Sequence, residues 1–109
     1  MAIDDAEVVC ALKIIRERAC DGLSVAESLE EIAIARSSLE RRFRQFFGRS
    51  PQAEIRSVQM KRAQPLLRET KFSLSQVASL TGLKHAKYFS LVFKREIGQT
   101  PGQYRSHLP

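Results

Sequence analysis

Apolar residues recur along this chain at helical spacing, and glycines and capping residues cut the pattern into about seven segments. Val8, Leu12, Ile15 and Ala19 form one stripe at i, i+4, i+7 and i+11. Acidic Asp4, Asp5 and Glu7 suit the start of that first helix, and Asp21-Gly22 ends it. Ser24-Val25-Ala26-Glu27 is a capping box that predicts a short second helix through Glu31, with Ile32 to Ala35 as a tight junction. A third helix begins near Arg36, buries Leu39, Phe43, Phe46 and Phe47, and stops at Gly48. Ser50-Pro51 restarts the chain with a capping residue and a proline at the first helical position. From Pro51 to about Glu69, Ile55, Val58, Met60, Ala63, Leu66 and Leu67 cover a broad arc, as expected of a connector packed along much of its surface. Pro65 is expected to kink or loosen the preceding turn and so to interrupt this helix. Ser73-Leu74-Ser75-Gln76 is another capping box, Thr81-Gly82-Leu83 a turn, and a sixth helix from about His85 buries Phe89, Val92, Phe93 and Ile97 before Gly98. Thr100-Pro101 opens a last short helix. No segment alternates as a strand does, so the predicted fold is all-α.

The pattern is stated twice at a constant offset of 50: Leu39 with Phe89, Phe43 with Phe93, Gly48 with Gly98, Pro51 with Pro101. A repeat at this period marks one supersecondary unit used twice. The division this predicts is a first lobe over 1–50, a connector helix over 51–70 and a second lobe over 71–109. In each lobe a short capped helix, a tight turn and a longer basic helix follow in order, the sequence shape of a helix-turn-helix. The longer helix docks by one face and leaves the other outside. In the first lobe the outer residues are Arg36, Ser37, Glu40, Arg41 and Arg44; in the second they are Lys84, His85, Ala86, Lys87, Ser90, Leu91 and Lys94.

Charge sharpens this picture. Residues 1–35 carry three basic and eight acidic side chains, and residues 36–109 carry fifteen basic and four acidic, for nets of −5 and +11. A charge run is often only a solvated face, but concentration into the repeated units points to a polyanion, with DNA the first candidate. A hydrophobic content of 43% suits a folded chain and argues against disorder. No apolar run approaches the roughly 20 residues of a membrane span, and no signal peptide is evident, so no membrane association and a cytoplasmic, nucleoid-associated protein are expected. Cys10 and Cys20 lie ten residues apart on different faces of one helix, which suits free thiols. With only His85 and His107 besides, no metal-ligand spacing exists, and neither metal nor cofactor is expected. No nucleophile–base pair, paired carboxylates or phosphate loop appears, so the chain does not read as an enzyme.

The chain resembles the DNA-binding domain of the AraC/XylS family of bacterial transcription regulators over nearly its whole length. The resemblance rests on Ser38 to Phe43, Gly48 to Pro51, Arg62 to Leu67, Val77-Ala78, Thr81 to Leu83, Tyr88-Phe89 and above all Phe93 to Arg105. Leu29 to Ile32 is similar to the xylose-regulator branch. The resemblance implies sequence-specific binding of double-stranded DNA, with two recognition helices entering successive major grooves, and RNA polymerase as a further partner. It places base-reading sites on Ser37, Glu40 and Arg41, and on Ala86, Lys87, Ser90 and Leu91. Ala33 stands where the first turn commonly has glycine, Leu91 where arginine is frequent, and Pro65 within the connector. Full-length members also carry an effector or dimerisation domain, absent from these 109 residues; the chain is either a separated piece or one of the family's short stand-alone forms.

Two other classes compete. A non-specific nucleic-acid binder needs only the basic charge, and a helical protein-interaction module finds its best material in the acidic first 35 residues. The phenylalanines read as core rather than stacking platforms. Arg42 and Arg62 suit intramolecular ion pairs, and Tyr88 and Tyr104 suit either packing or phosphate contact.

Overall fold

A computed structural model describes residues 6–21 and 36–106 of the chain. They form α1 (Ala6–Arg18), continued by a 3-10 turn (Ala19–Asp21), then α2 (Arg36–Phe47), α3 (Pro51–Glu69), α4 (Leu74–Leu80), α5 (Ala86–Ile97) and α6 (Pro101–Ser106). Among the described residues there is no strand. The predicted helix over 24–31, its junction and the departure at Ala33 lie outside the described residues. The fold divides into two compact units, residues 1–19 with 23–58 and residues 20–22 with 59–109, so α3 passes from one to the other at Val58–Gln59.

In the first unit α1 buries Val8, Ala11, Ile14 and Ile15, and Ala19 follows them; α2 adds Leu39 and Phe43, and α3 adds Ile55. Leu12, Phe46, Phe47 and Val58 pack around this cluster while staying partly exposed. The expected stripe through Leu12 is therefore rotated, with Ala11 and Ile14 taking the inner positions. The Phe47 ring lies 4.7 Å from that of Phe43, closing the end of the core. Across the same unit Arg42 Nη2 donates to Glu7 Oε1 at 2.9 Å, the intramolecular pairing expected of Arg42.

The second unit gathers Met60, Ala63 and Leu67 of α3 with Val77, Ala78 and Leu83, and with Phe89, Val92 and Phe93 of α5. Ile97 is half-buried beside them rather than within. Tyr104 of α6 sets its ring edge against Phe93 at 5.4 Å and accepts from Arg68 Nη1 at 2.9 Å, so packing and an internal hydrogen bond both occupy it. Arg105 donates from Nε to the Leu67 carbonyl at 3.1 Å and from Nη2 to that of Thr70 at 3.3 Å. These contacts satisfy carbonyls that the end of α3 leaves without helical partners.

The helix ends follow their residues. Ser50 Oγ accepts from Ala53 N–H at the start of α3. The capping box of Ser73 and Gln76 is complete in both directions, and Thr100 with Gln103 forms another ahead of α6. Gly48 and Gly98 close α2 and α5 at φ of 75° and 93°, a region glycine enters without a Cβ penalty. One expectation is corrected. Pro65 does not interrupt α3, which runs unbroken from Pro51 to Glu69. Proline's fixed φ is itself helical, and its missing N–H removes one hydrogen bond, the one to the carbonyl of Lys61. Lys61 is exposed, so water can reach that side of the helix, and only one further turn remains to be built.

Both cysteines are free, Cys10 exposed and Cys20 half-buried. Burial raises the Cys20 thiol above its ordinary pKa; Arg62 opposes the shift and Asp21 adds to it. The thiolate is the reactive form. Maleimide labelling of the folded chain at neutral pH should therefore be biphasic, with Cys20 slower than Cys10 by roughly ten-fold or more. The slow phase should keep accelerating with pH beyond the usual thiol range and vanish in Cys20→Ser. A single fast phase for both thiols contradicts this.

Candidate nucleic-acid interface

The turn between α4 and α5 is fixed from within. Thr81 is fully buried, and its Oγ1 lies 2.9 Å from the Val77 carbonyl and 3.2 Å from that of Ala78. Gly82 takes φ 86°. The N–H groups of Leu83 and Lys84 both donate to the Ala78 carbonyl, at 3.0 and 3.2 Å. Lys84 then takes φ 69°, and His85 N–H reaches back to the Leu83 carbonyl at 2.7 Å. This is a γ-turn of the rarer hand, a strained conformation for lysine. It delivers the chain to His85, the N-cap of α5, whose side chain makes no capping bond. The helix thus starts where expected, about His85. α4, this turn and α5 form a helix-turn-helix with α5 as its second helix.

α5 buries Phe89, Val92 and Phe93 completely and turns another face outward. Lys84, His85, Lys87, Leu91 and Lys94 are exposed, while Ala86 and Ser90 are half-buried. Lys87, Leu91 and Lys94 stand at i, i+4 and i+7, a single outer stripe. With His85, Tyr88, Ser90 and Thr100 they line an open groove of about 640 Å³. Among the described residues its lining holds no carboxylate.

α2 repeats this arrangement 50 residues earlier. Leu39 and Phe43 are fully buried; Ser37, Arg41 and Arg44 are exposed at i, i+4 and i+7, and Glu40 is half-buried. The outer stripe of α2 and that of α5 therefore occupy equivalent positions, Ser37 with Lys87, Arg41 with Leu91, Arg44 with Lys94. Arg36 begins α2, and its side chain lies outside the described residues. Chemically, the α5 stripe sets a leucine between two lysines, and the α2 stripe sets an arginine between a serine and a second arginine.

Sequence reasoning missed Glu54. Only 4% exposed in the first turn of α3, it pairs with Arg49 at 2.8 Å and lies 3.9 Å from Arg16. An acidic residue there reads as a solvated partner of the helix dipole, and its burial has no local signature. The left-handed Lys84 was equally silent, because Gly82 already offers a residue for such a backbone. Among the described residues no group of three or more His, Cys, Asp or Glu is placed to hold a metal ion. No helix among them is long and apolar enough to cross a membrane.

The profile of a family described as a helix-turn-helix domain matches residues 17–107. The xylose operon regulatory protein of Escherichia coli is 34% identical over 104 residues, which are 95% of this chain and 26% of that protein. The chain thus spans about a quarter of the length of the xylose operon regulatory proteins it matches. Among solved structures, a xylose-binding transcription activator, XylR, superposes with a TM-score of 0.75 at 32% identity, covering 99% of this chain and 28% of that one. The DNA-binding domain of AdpA, a global transcriptional factor solved in complex with a target DNA, gives a TM-score of 0.82 at 23% identity, covering 92% and 90%. With its repeated helical units, its α4–turn–α5 geometry and a match over most of its length, the chain belongs to the AraC-type helix-turn-helix domain family.

Proposed function

We propose that this chain is the DNA-binding domain of a transcription regulator, and that α2 and α5 are its recognition helices, each entering a major groove of double-stranded DNA. The observation that carries the reading is the pair of equivalent outer stripes, basic and exposed on helices whose opposite faces are buried in their own lobes. In this reading the lobes at 1–50 and 71–109 bind, and the helix of 51–70 connects them. Ser37, Glu40 and Arg41 read bases in the first half-site; Ala86, Lys87, Ser90 and Leu91 face bases in the second. Arg36, Arg44, Lys84, His85 and Lys94 meet phosphates, which position the protein without specifying sequence. The names of its relatives agree, one regulating an operon and one solved on target DNA. As part of a regulator the chain works in the bacterial cytoplasm at the nucleoid, has RNA polymerase as a further partner, and catalyses no reaction itself.

The test is a binding titration against random duplexes and against duplexes selected in vitro. Specific recognition predicts an affinity ratio of about 10³ or more at physiological salt. A ratio near one marks a non-specific binder, and no binding to either marks a protein-interaction module; each sinks the proposal.

A further inference from the structure

The groove on the outer face of α5 has an uncommon combination of features. Its centre is Leu91, 63% exposed and the most exposed large hydrophobic among the described residues. Tyr88 beside it is 42% exposed. A lone surface leucine needs no explanation. This one lies in a groove between Lys87 and Lys94, with His85 at its edge. An apolar floor under a cationic rim fits a polyanion that presents an apolar group between its charges. It fits an apolar protein helix poorly, because the lysines would lose hydration without gaining a counter-charge. In duplex DNA the major groove shows one apolar group among its base edges, the 5-methyl of thymine, and phosphates flank it.

We propose that this groove seats a thymine methyl and that Leu91 is the residue that selects it. The proposal rests on α5 lying in a major groove. It assigns different chemistry to equivalent positions of the two lobes: Arg41 offers a forked donor suited to guanine, and Leu91 an apolar surface that a guanine edge cannot satisfy. Lys94 supplies attraction to a flanking phosphate, and Lys87 faces the bases beside the methyl.

The experiment uses the 109-residue chain and its selected duplex, with each thymine replaced in turn by 2′-deoxyuridine, which lacks only the methyl. Affinity is read by fluorescence anisotropy at fixed salt. At one or two positions the replacement should weaken binding about four-fold, the factor expected for one methyl-sized group returned to water. In Leu91→Ala those positions should become insensitive to the replacement, because the apolar surface that meets the methyl is gone. Leu91 is exposed, so the variant keeps its core. Tight binding to the selected duplex that ignores every uracil overturns the methyl seat and leaves α5 as a groove helix. So does a Leu91→Ala loss equal on the thymine and uracil duplexes. Failure to bind any duplex better than random DNA overturns the methyl seat together with the reading of α5.

Discussion

Arg49→Ala should destabilise the first lobe by about 2–3 kcal/mol, far more than its half-exposed position suggests. Its partner carboxylate, on Glu54, is 5% exposed at the side chain and receives Arg49 Nε at 2.8 Å. Removing the arginine strands that charge against the core, with Arg16 at 3.9 Å as its other partner among the described residues. A buried charge without a hydrogen-bonded partner costs several kcal/mol, and residual help from Arg16 and the α3 dipole brings the figure down. Arg16→Ala should cost no more than about 1 kcal/mol, because Arg16 is 66% exposed and its contact is long. The double change Arg49→Ala, Glu54→Gln should recover part of the loss, because it removes the charge as well as its partner. Urea denaturation, with amide exchange in α2 reporting the first lobe, measures all three. Equal and small losses for the two arginines would show that the ion pair contributes nothing.

The second lobe pins its following helix without an ion pair. Fifty residues on, Arg49 is replaced by Gln99 and Glu54 by Tyr104. Tyr104 packs its ring on Phe93 and takes a hydrogen bond from Arg68. The repeat thus preserves the backbone plan, glycine then capping residue then proline, while the contact that pins each following helix has changed chemistry.

That contrast explains what could be read from the sequence. Helix ends were legible because their chemistry is local: Ser73 and Gln76, or Thr100 and Gln103, satisfy backbone groups within three residues. The docking faces were legible because Leu39 and Phe43, like Phe89 and Phe93, can share a side only on a helix. The same periodicity separates the inner faces of α2 and α5 from the outer stripes, so most of the candidate interface followed directly. Features that depend on what lies across the fold did not follow. Glu54 is buried by its neighbours, not by its own type. Lys84 adopts a left-handed backbone because the Ala78 carbonyl gathers three N–H groups, its own among them, and His85 closes on Leu83. Pro65 was misread because an interior proline costs a helix one bond and some crowding, which the packing of Met60, Ala63 and Leu67 on either side of it outweighs.

Two arginines three residues apart on the outer stripe of α2 should respond in opposite ways when removed. Arg41 holds the central position of the stripe, equivalent to Leu91; Arg44 stands one turn later, equivalent to Lys94. A bidentate contact from Arg41 to guanine O6 and N7 would make Arg41→Ala cost about 1–3 kcal/mol on the selected duplex. It should relax preference at one base pair and leave affinity for random DNA nearly intact. Arg44→Ala, removing a phosphate contact, should weaken all sequences alike and shallow the dependence of log affinity on log salt by about one unit. The discriminating quantity is the ratio of specific to random affinity across a salt series, since both changes remove the same charge. If that ratio falls equally in the two variants, Arg44 reads bases as well; if the salt slopes change while the ratio holds for both, then Arg41 is a phosphate ligand. Base reading by α2 would then have to rest on Ser37 and Glu40.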